Sequence, residues 1–78
     1  MKAGDSIIFT YKNGDECKIK AGLITDIKLT EHVTICYLCD GEIEVFTLDS
    51  KKPIKGGRNK LTITNLDGST IDIDILER

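Results

Sequence analysis

Apolar and polar residues alternate with a period of two along almost the whole chain, and this pattern most constrains the fold. Successive side chains of a β-strand point to opposite faces of the sheet, so the alternation predicts strands with one buried and one solvated face. The clearest example is residues 69–76, where isoleucine alternates with aspartate. No stretch combines helical periodicity with capping residues, apart from at most one turn within 49–59. The sequence therefore predicts an all-β protein.

The longest alternating segment, residues 17–29, predicts one long strand. Gly22 near its middle indicates a kink or bulge, the device by which a strand bends and a small barrel closes. The alternation assigns the odd positions to the core and the charged even positions to water, with Ile24 as the exception. The positions assigned to the core are Cys17, Ile19, Ala21, Leu23, Thr25, Ile27 and Leu29, and those assigned to water are Lys18, Lys20, Asp26 and Lys28.

Three glycine-containing turns, at Asn13-Gly14, Asp40-Gly41 and 65–68, divide the alternating segments into hairpins. The longest predicted loop is 49–59, because proline and paired glycines interrupt a strand ladder. The predicted strands are 6–11, 17–29, 33–38, 42–48, 60–64 and 69–76. We expect one domain over residues 1–78, a small antiparallel barrel or sandwich of five to six strands with a long bent second strand.

The size and composition restrict the classes of function. The chain has 78 residues, of which 40% are hydrophobic and 31% charged, typical of a globular domain that folds alone. So small a core leaves little room for a catalytic cleft, and we expect no enzyme activity and no cofactor. No apolar run is long enough for a membrane helix and no signal peptide is evident, which predicts a cytoplasmic protein. The three cysteines, an odd number, are expected to be reduced thiols.

Three segments resemble the small Sm-like or Src-homology-3-like barrel, and in particular its WYL variant. They are 7–11 (IIFTY), 34–38 (TICYL) and 44–49 (EVFTLD), the first two separated by a turn and the long bent strand. In the WYL family a tyrosine-leucine strand precedes a phenylalanine-x-leucine-aspartate strand. The resemblance implies a binding domain in a bacterial or phage setting that senses ligands or nucleic acid.

The chain departs from that family around the second of these strands. Where WYL domains usually carry arginines, this sequence has Glu42, Glu44 and Thr47. None of the family's binding residues is therefore assigned to this chain.

Positive charge is concentrated in the segment 51–60, with no acidic residue between Asp49 and Asp67. Lysine ammonium groups and the amides near paired glycines suit phosphate oxygens, so this segment is the candidate phosphate-binding or partner-binding site. The alternative is a solvated loop that keeps a β-protein soluble. The formal net charge of −2 and the few aromatic residues argue against nucleic acid. The candidate residues are Lys51, Lys52, Lys55, Gly56, Gly57, Arg58 and Lys60.

The other residues capable of chemistry favour structural roles. Cys36 and Cys39 have the Cys-x-x-Cys spacing of one half of a zinc site, but positions i and i+3 of a strand point to opposite faces. His32 lies in a predicted turn, and the aspartates of 69–76 form the wet face of a strand. We therefore expect no metal site and no catalytic residue.

Two functions remain open from the sequence. The first is a non-catalytic binding module for protein-protein association or homo-oligomerisation, in which the acidic hairpin 40–44 meets the basic segment of a neighbouring subunit, or a sheet edge is extended by a partner. The second is binding of nucleic acid or phosphate through residues 51–60. Membrane association is not expected.

Overall fold

The structure is a computed structural model that describes residues 1–29, 32–48 and 54–78. Within these ranges the chain forms β-strands joined by turns, and no helix is long and apolar enough to cross a membrane. The strands are β1 (Ser6–Asn13), β2 (Glu16–Leu29), β3 (Val33–Cys39), β4 (Glu42–Leu48), β5 (Ile54–Gly56), β6 (Lys60–Thr64) and β7 (Thr70–Leu76).

All seven strands belong to one antiparallel sheet, in the order β4-β3-β2-β1-β7-β6-β5. The prediction of an all-β antiparallel protein is confirmed. The sheet is not closed, because no pairing joins β4 to β5 in the described part of the chain. The seventh strand is β5, which lies within the predicted loop; Pro53 and the rest of 49–53 lie outside the described residues.

Two-residue turns set the register of two hairpins. The second consists of the predicted residues Asp40 and Gly41, whereas the first consists of Gly14 and Asp15, one residue later than the predicted Asn13-Gly14. Asn13 pairs with Glu16 across a turn whose first residue, Gly14, has φ of +60°, as in a type II′ turn. The turn between β3 and β4 consists of Asp40 and Gly41, both at positive φ, which defines type I′. Both turn types match the right-handed twist of the strands they join.

The core lies on one face of the sheet, called the inner face below. Alternate residues of β1, β3 and β7 point to this face and pack with residues from β2 and β6, as the period-two rule requires. Among the residues that the structure describes, the buried apolar ones are Ile7, Phe9, Ile24, Ile35, Tyr37, Cys39, Ile63, Ile73 and Ile75. The isoleucine-aspartate alternation of β7 thus has the predicted orientation, with its isoleucines inside.

The first half of β2 has the opposite orientation to the one predicted. Directly paired residues of antiparallel strands share a face, and the buried Phe9 pairs with Lys20, while Tyr11 pairs with Lys18. The lysines therefore lie on the inner side of the sheet. Ile19 is 70% exposed, whereas Ile24, the exception to the alternation, is 1% exposed.

A β-bulge at Thr25 explains this inversion. Ile24 pairs with Tyr37 and Asp26 with Cys36, which leaves Thr25 as an extra residue in β2. The extra residue restores odd positions to the inner face, where Ile27 pairs with the buried Ile35. The predicted β-bulge is therefore present, but between Ile24 and Asp26 and not at Gly22.

Asp5 joins both ends of the chain to the start of β1. Its side chain is buried, and its carboxylate accepts hydrogen bonds from the backbone N–H groups of Lys2 and Arg78 at 3.0 and 3.1 Å. Its carbonyl oxygen accepts a further bond from the amide of Ile24. Burial alone would raise the pKa of Asp5, but the two backbone donors and the charge of Lys2 outweigh it and lower the pKa below its ordinary value.

We expect Asp5→Asn to lower the melting temperature at neutral pH, because the variant loses a charged acceptor for both backbone donors. A lowered pKa in the folded state stabilises the fold above the ordinary carboxyl value, and this contribution is lost as the pH falls through the folded pKa. The difference between wild type and variant should therefore shrink below about pH 4. Thermal unfolding followed by circular dichroism from pH 7 to 2 measures it.

The control is Asp15→Asn, which changes the net charge equally at an exposed turn residue. A stability difference for Asp5→Asn that stays constant over the whole pH range would contradict this role of the carboxylate.

Candidate binding surfaces

The basic segment predicted from the sequence is only partly brought together by the fold. Lys51 and Lys52 lie outside the described residues. Lys55 is exposed on β5, and pairing of Lys55 with Thr62 directs it to the outer face of the sheet. The phosphate-binding role of this segment stays a prediction.

The two glycines of this segment shape a tight turn between β5 and β6. Gly56 has φ of +135°, and a Cβ atom built there would lie 2.0 Å from the carbonyl oxygen of Lys60. The amide of Gly57 donates to that same oxygen at 2.9 Å. Glycine here permits a close strand approach, which is why a segment rich in strand breakers still pairs with β6.

Acidic partners stand beside two of the basic residues. Arg58 Nε is 3.2 Å from Glu77 Oε1, and Lys60 Nζ is 3.7 Å from Asp74 Oδ1. Both ion pairs are largely exposed and contribute little to stability. The two carboxylates nevertheless reduce the local excess of positive charge. This part of the segment is therefore a surface of mixed charge, which suits a phosphate group less well than a purely basic surface would.

All four aromatic residues of the chain meet in one groove on the inner face, a convergence that alternation did not predict. The groove has a volume of about 700 Å³. The Phe9 ring packs against the rings of Tyr37 and Phe46, each with a centroid separation of 5.0 Å and a tilt of 44°. Tyr11 lines the groove on the same strand as Phe9. The volume lies within the range of small-ligand pockets.

Lys18 and Lys20 line one side of this groove because of the inverted face of β2. Lys20 Nζ donates to Glu44 Oε1 at 2.7 Å, a hydrogen bond that raises the pKa of Lys20 and lowers that of Glu44. Lys18 is more exposed and pairs with its strand neighbour Glu16 at 3.2 Å. The ammonium group of Lys18 thus lies beside the groove, and its exposed ion pair with Glu16 is weak.

The cysteines have no shared site. Register places Cys36 on the outer face, opposite Val45, and Cys39 on the inner face. Burial raises the pKa of the Cys39 thiol, and the carboxylates of Asp40 and Glu44 add to the rise, so the thiol stays protonated. Among the described residues, no group of three or more histidine, cysteine or carboxylate side chains is placed to hold a metal ion. His32 is exposed before β3, as its predicted turn position implies.

One edge of the sheet is β4, a seven-residue strand with no partner on its far side among the described residues. Its outer-face residues Ile43 and Val45 are 59% and 61% exposed. They continue an apolar row across the outer face, since Ile43 pairs with Leu38, which pairs with Leu23.

A second open edge runs along the first half of β2. Pairing with β3 begins only at Leu23, so residues 16–22 project past the Asp40-Gly41 turn with β1 on one side. In the described residues no strand pairs with the other side of this segment. Ile19 and Ala21 line the aromatic groove together with the lysines, which places the groove along this edge.

Comparisons with protein-family models, curated proteins and solved structures gave no match to this chain.

Proposed function

We propose that this protein is a non-catalytic association module that forms a homodimer by pairing β4 with β4 of a second copy. The observation that supports this is the exposed apolar edge of β4, with Ile43 and Val45 more than half accessible. An unpaired edge presents a row of free N–H and C=O groups that another strand can complete. A two-fold symmetric pair is the commonest way for a chain to satisfy such an edge.

The hairpin geometry identifies which backbone groups are free. Cys39 and Glu42 close the two-residue turn, so the even-numbered residues of β4 exchange hydrogen bonds with β3. The N–H and C=O groups of Ile43, Val45 and Thr47 therefore point away from the sheet. These same residues carry the outer-face side chains that a dimer would cover.

Charge repulsion determines which register of the β4–β4 pair is favourable. An antiparallel pair centred on Val45 places Ile43 opposite Thr47 of the second copy and Glu44 opposite Phe46. Shifting the centre to Glu44 would place two glutamates face to face, which is destabilising. The Val45-centred register uses every free backbone group of β4 and opposes no like charges.

The opposite edge, β5, is a poorer partner for β4. It has three residues, and Gly56 at its end adopts a backbone conformation that few residues other than glycine tolerate. Arg58 and Lys60, which would attract the acidic β4 hairpin, already have acidic neighbours. Short, charged edge strands are typical of edges protected from association. We therefore favour the symmetric dimer over a head-to-tail ring.

The test is the substitution Val45→Lys. The wild-type chain, with a monomer mass of 8.6 kDa, should sediment as a dimer at micromolar to millimolar concentration, and its mass should not fall in high salt. Val45→Lys should be monomeric throughout this range, since two ammonium groups would face each other at the centre of the pair. Sedimentation equilibrium measures both masses.

The matched control is Leu66→Lys, which places the same charge on a fully exposed residue between β6 and β7. It should leave the dimer mass unchanged. A monomeric wild type would refute the proposal, and a dimer that dissociates in high salt would favour the charge-driven contact between β4 and the basic segment.

A further inference from the structure

We propose that the groove beside the open edge of β2 binds an uncharged planar heterocycle that carries a cyclic amide. The ring would lie over the aromatic side chains of the inner face, and its amide group would pair with the free backbone groups of Ile19 and Ala21. This site lies away from the β4 edge, so the inference does not rest on the proposed dimer.

The backbone of β2 supplies the hydrogen-bonding groups of this site. Asn13 and Glu16 close a two-residue turn, so the even-numbered residues of this half of β2 bond to β1. The N–H and C=O groups of Ile19 and Ala21 consequently point to the open edge. The side chain of Ile19 stands on the outer face and is 70% exposed, yet both residues line the groove, so their backbone atoms reach it.

Free groups of this kind are complementary to a cyclic amide. Along the edge of an antiparallel strand, N–H and C=O groups that point the same way stand close together, and a partner strand meets them with an acceptor and a donor of its own. A cyclic amide holds its C=O and N–H on one edge of a ring, so it offers the same two groups with no flexible chain to order. The amide would accept from one free N–H of this edge and donate to the adjoining C=O.

Aromatic side chains beside the edge favour a planar ligand. The inner-face residues of this half of β2, Lys18 and Lys20, stand directly opposite Tyr11 and Phe9 of β1. Phe9 is buried, whereas Tyr11 and Phe46 line the groove with part of their surface still accessible. Stacking between aromatic rings adds to binding beyond the area that the rings bury.

The charges at the groove favour a ligand without charge. Lys18 Nζ is 3.2 Å from Glu16 Oε1 and Lys20 Nζ is 2.7 Å from Glu44 Oε1, so each ammonium group already has a carboxylate partner. Asp40 lines the same groove. An anion would have to displace one of these partners, and a cation would approach two ammonium groups.

The shape of the groove favours a ring over a long peptide strand. The Asp40-Gly41 turn stands in the path that a strand beside residues 16–22 would follow, because that path continues the line of β3. The volume of about 700 Å³ lies within the range of small-molecule pockets. A compact ligand therefore avoids the turn that would end a peptide strand.

The experiment compares carbostyril, an uncharged cyclic amide of two fused rings, with its N-methyl derivative. The full chain should bind carbostyril, measured by isothermal titration calorimetry, and the affinity should change little in high salt. The N-methyl derivative should bind at least roughly fivefold more weakly, because methylation removes the donor and leaves a backbone carbonyl group without a partner.

Hydrogen exchange followed by nuclear magnetic resonance locates the contact. Carbostyril should slow exchange of the amides of Ile19 and Ala21, which face the open edge. The amides of Lys18 and Lys20 should change little, because they already bond to β1.

Tyr11→Leu should weaken carbostyril binding by roughly threefold or more, because it removes an aromatic ring from the groove and keeps an apolar side chain. The matched variant Tyr11→Phe keeps the ring and should bind carbostyril more tightly than Tyr11→Leu by that factor. Thermal unfolding by circular dichroism checks that both variants are folded.

Three results would overturn the proposal. The first is equal affinity for carbostyril and its N-methyl derivative, and the second is protection of amides away from the β2 edge. The third is absence of carbostyril binding; protection of the same amides by an uncharged peptide of alternating threonine and isoleucine would then assign this edge to strand addition. The mass of the β4-dependent dimer is measured separately, so each of these results leaves the proposed function standing.

Discussion

Ile24→Ala is expected to destabilise the protein by about 2–5 kcal/mol, the range for truncating a fully buried isoleucine to alanine. Ile24 is 1% exposed and packs in the core, although the alternation of β2 assigns it to the solvated face. So large a loss is a sizeable fraction of the stability of a domain of this size. Urea unfolding followed by circular dichroism gives the free energy of unfolding.

The matched comparison is Ile19→Ala, the same substitution on the same strand. Ile19 is 70% exposed on the outer face, so its truncation should change the free energy of unfolding by no more than about 0.5 kcal/mol. If Ile19→Ala lowered the free energy of unfolding more than Ile24→Ala, β2 would have the orientation that its alternation predicts. The β-bulge at Thr25 would then be absent.

Gly22→Ala is expected to cost about 1–3 kcal/mol through overpacking at the junction of β2 and β3. A Cβ atom at this position would lie 2.8 Å from the carbonyl oxygen of Leu38 and 2.8 Å from Cδ2 of Tyr37. The oxygen belongs to the backbone of a central strand, so relief of the contact requires the strands to move apart. The shift in the urea midpoint measures the effect.

Gly57→Ala is the corresponding control. No atom lies within 4 Å of a Cβ atom built at Gly57, and its φ is not in the left-handed region. Its stability should stay within about 0.5 kcal/mol of wild type. Equal losses for the two variants would mean that chain flexibility, and not contact with β3, explains the glycine at position 22.

The fold class follows from local signals in the sequence. Two-residue glycine turns and period-two alternation act between neighbouring residues, so they predict the β1–β2 and β3–β4 hairpins and the buried isoleucines of β7. Pairing of β5 with β6 was missed because Gly56 breaks strands in most settings. Here the glycine is what lets β5 approach the carbonyl oxygen of Lys60.

The orientation of the first half of β2 could not be predicted from its own pattern. In this half of β2 both the odd-numbered and the even-numbered residues include side chains that tolerate exposure to solvent. The pairing with β1 therefore determines which set faces inward. One signal was present: Ile24 broke the alternation, and a bulge after it reconciles an apolar residue at an even position with the odd-numbered core residues that follow.

The candidate surfaces were predicted only in part. Sheet edges were expected as binding surfaces, but the sequence does not show that β4 is an edge, nor that β3 leaves residues 16–22 uncovered. The convergence of four aromatic residues and two lysines depends on contacts between β1, β2, β3 and β4. The basic segment was visible in the sequence, whereas the acidic partners of Arg58 and Lys60 come from β7 and its end.

The strand order also has a kinetic consequence. Among the residues that the structure describes, every strand pairing joins strands adjacent in the chain, except that of β1 with β7. Two meanders, β1 to β4 and β5 to β7, can therefore form from local contacts, whereas docking β7 onto β1 must close a loop that spans most of the chain. Closing such a loop loses chain entropy before the stabilising contacts between β1 and β7 have formed. We expect this docking to limit the folding rate, and until it occurs β1 and β7 each expose an edge that the native protein conceals.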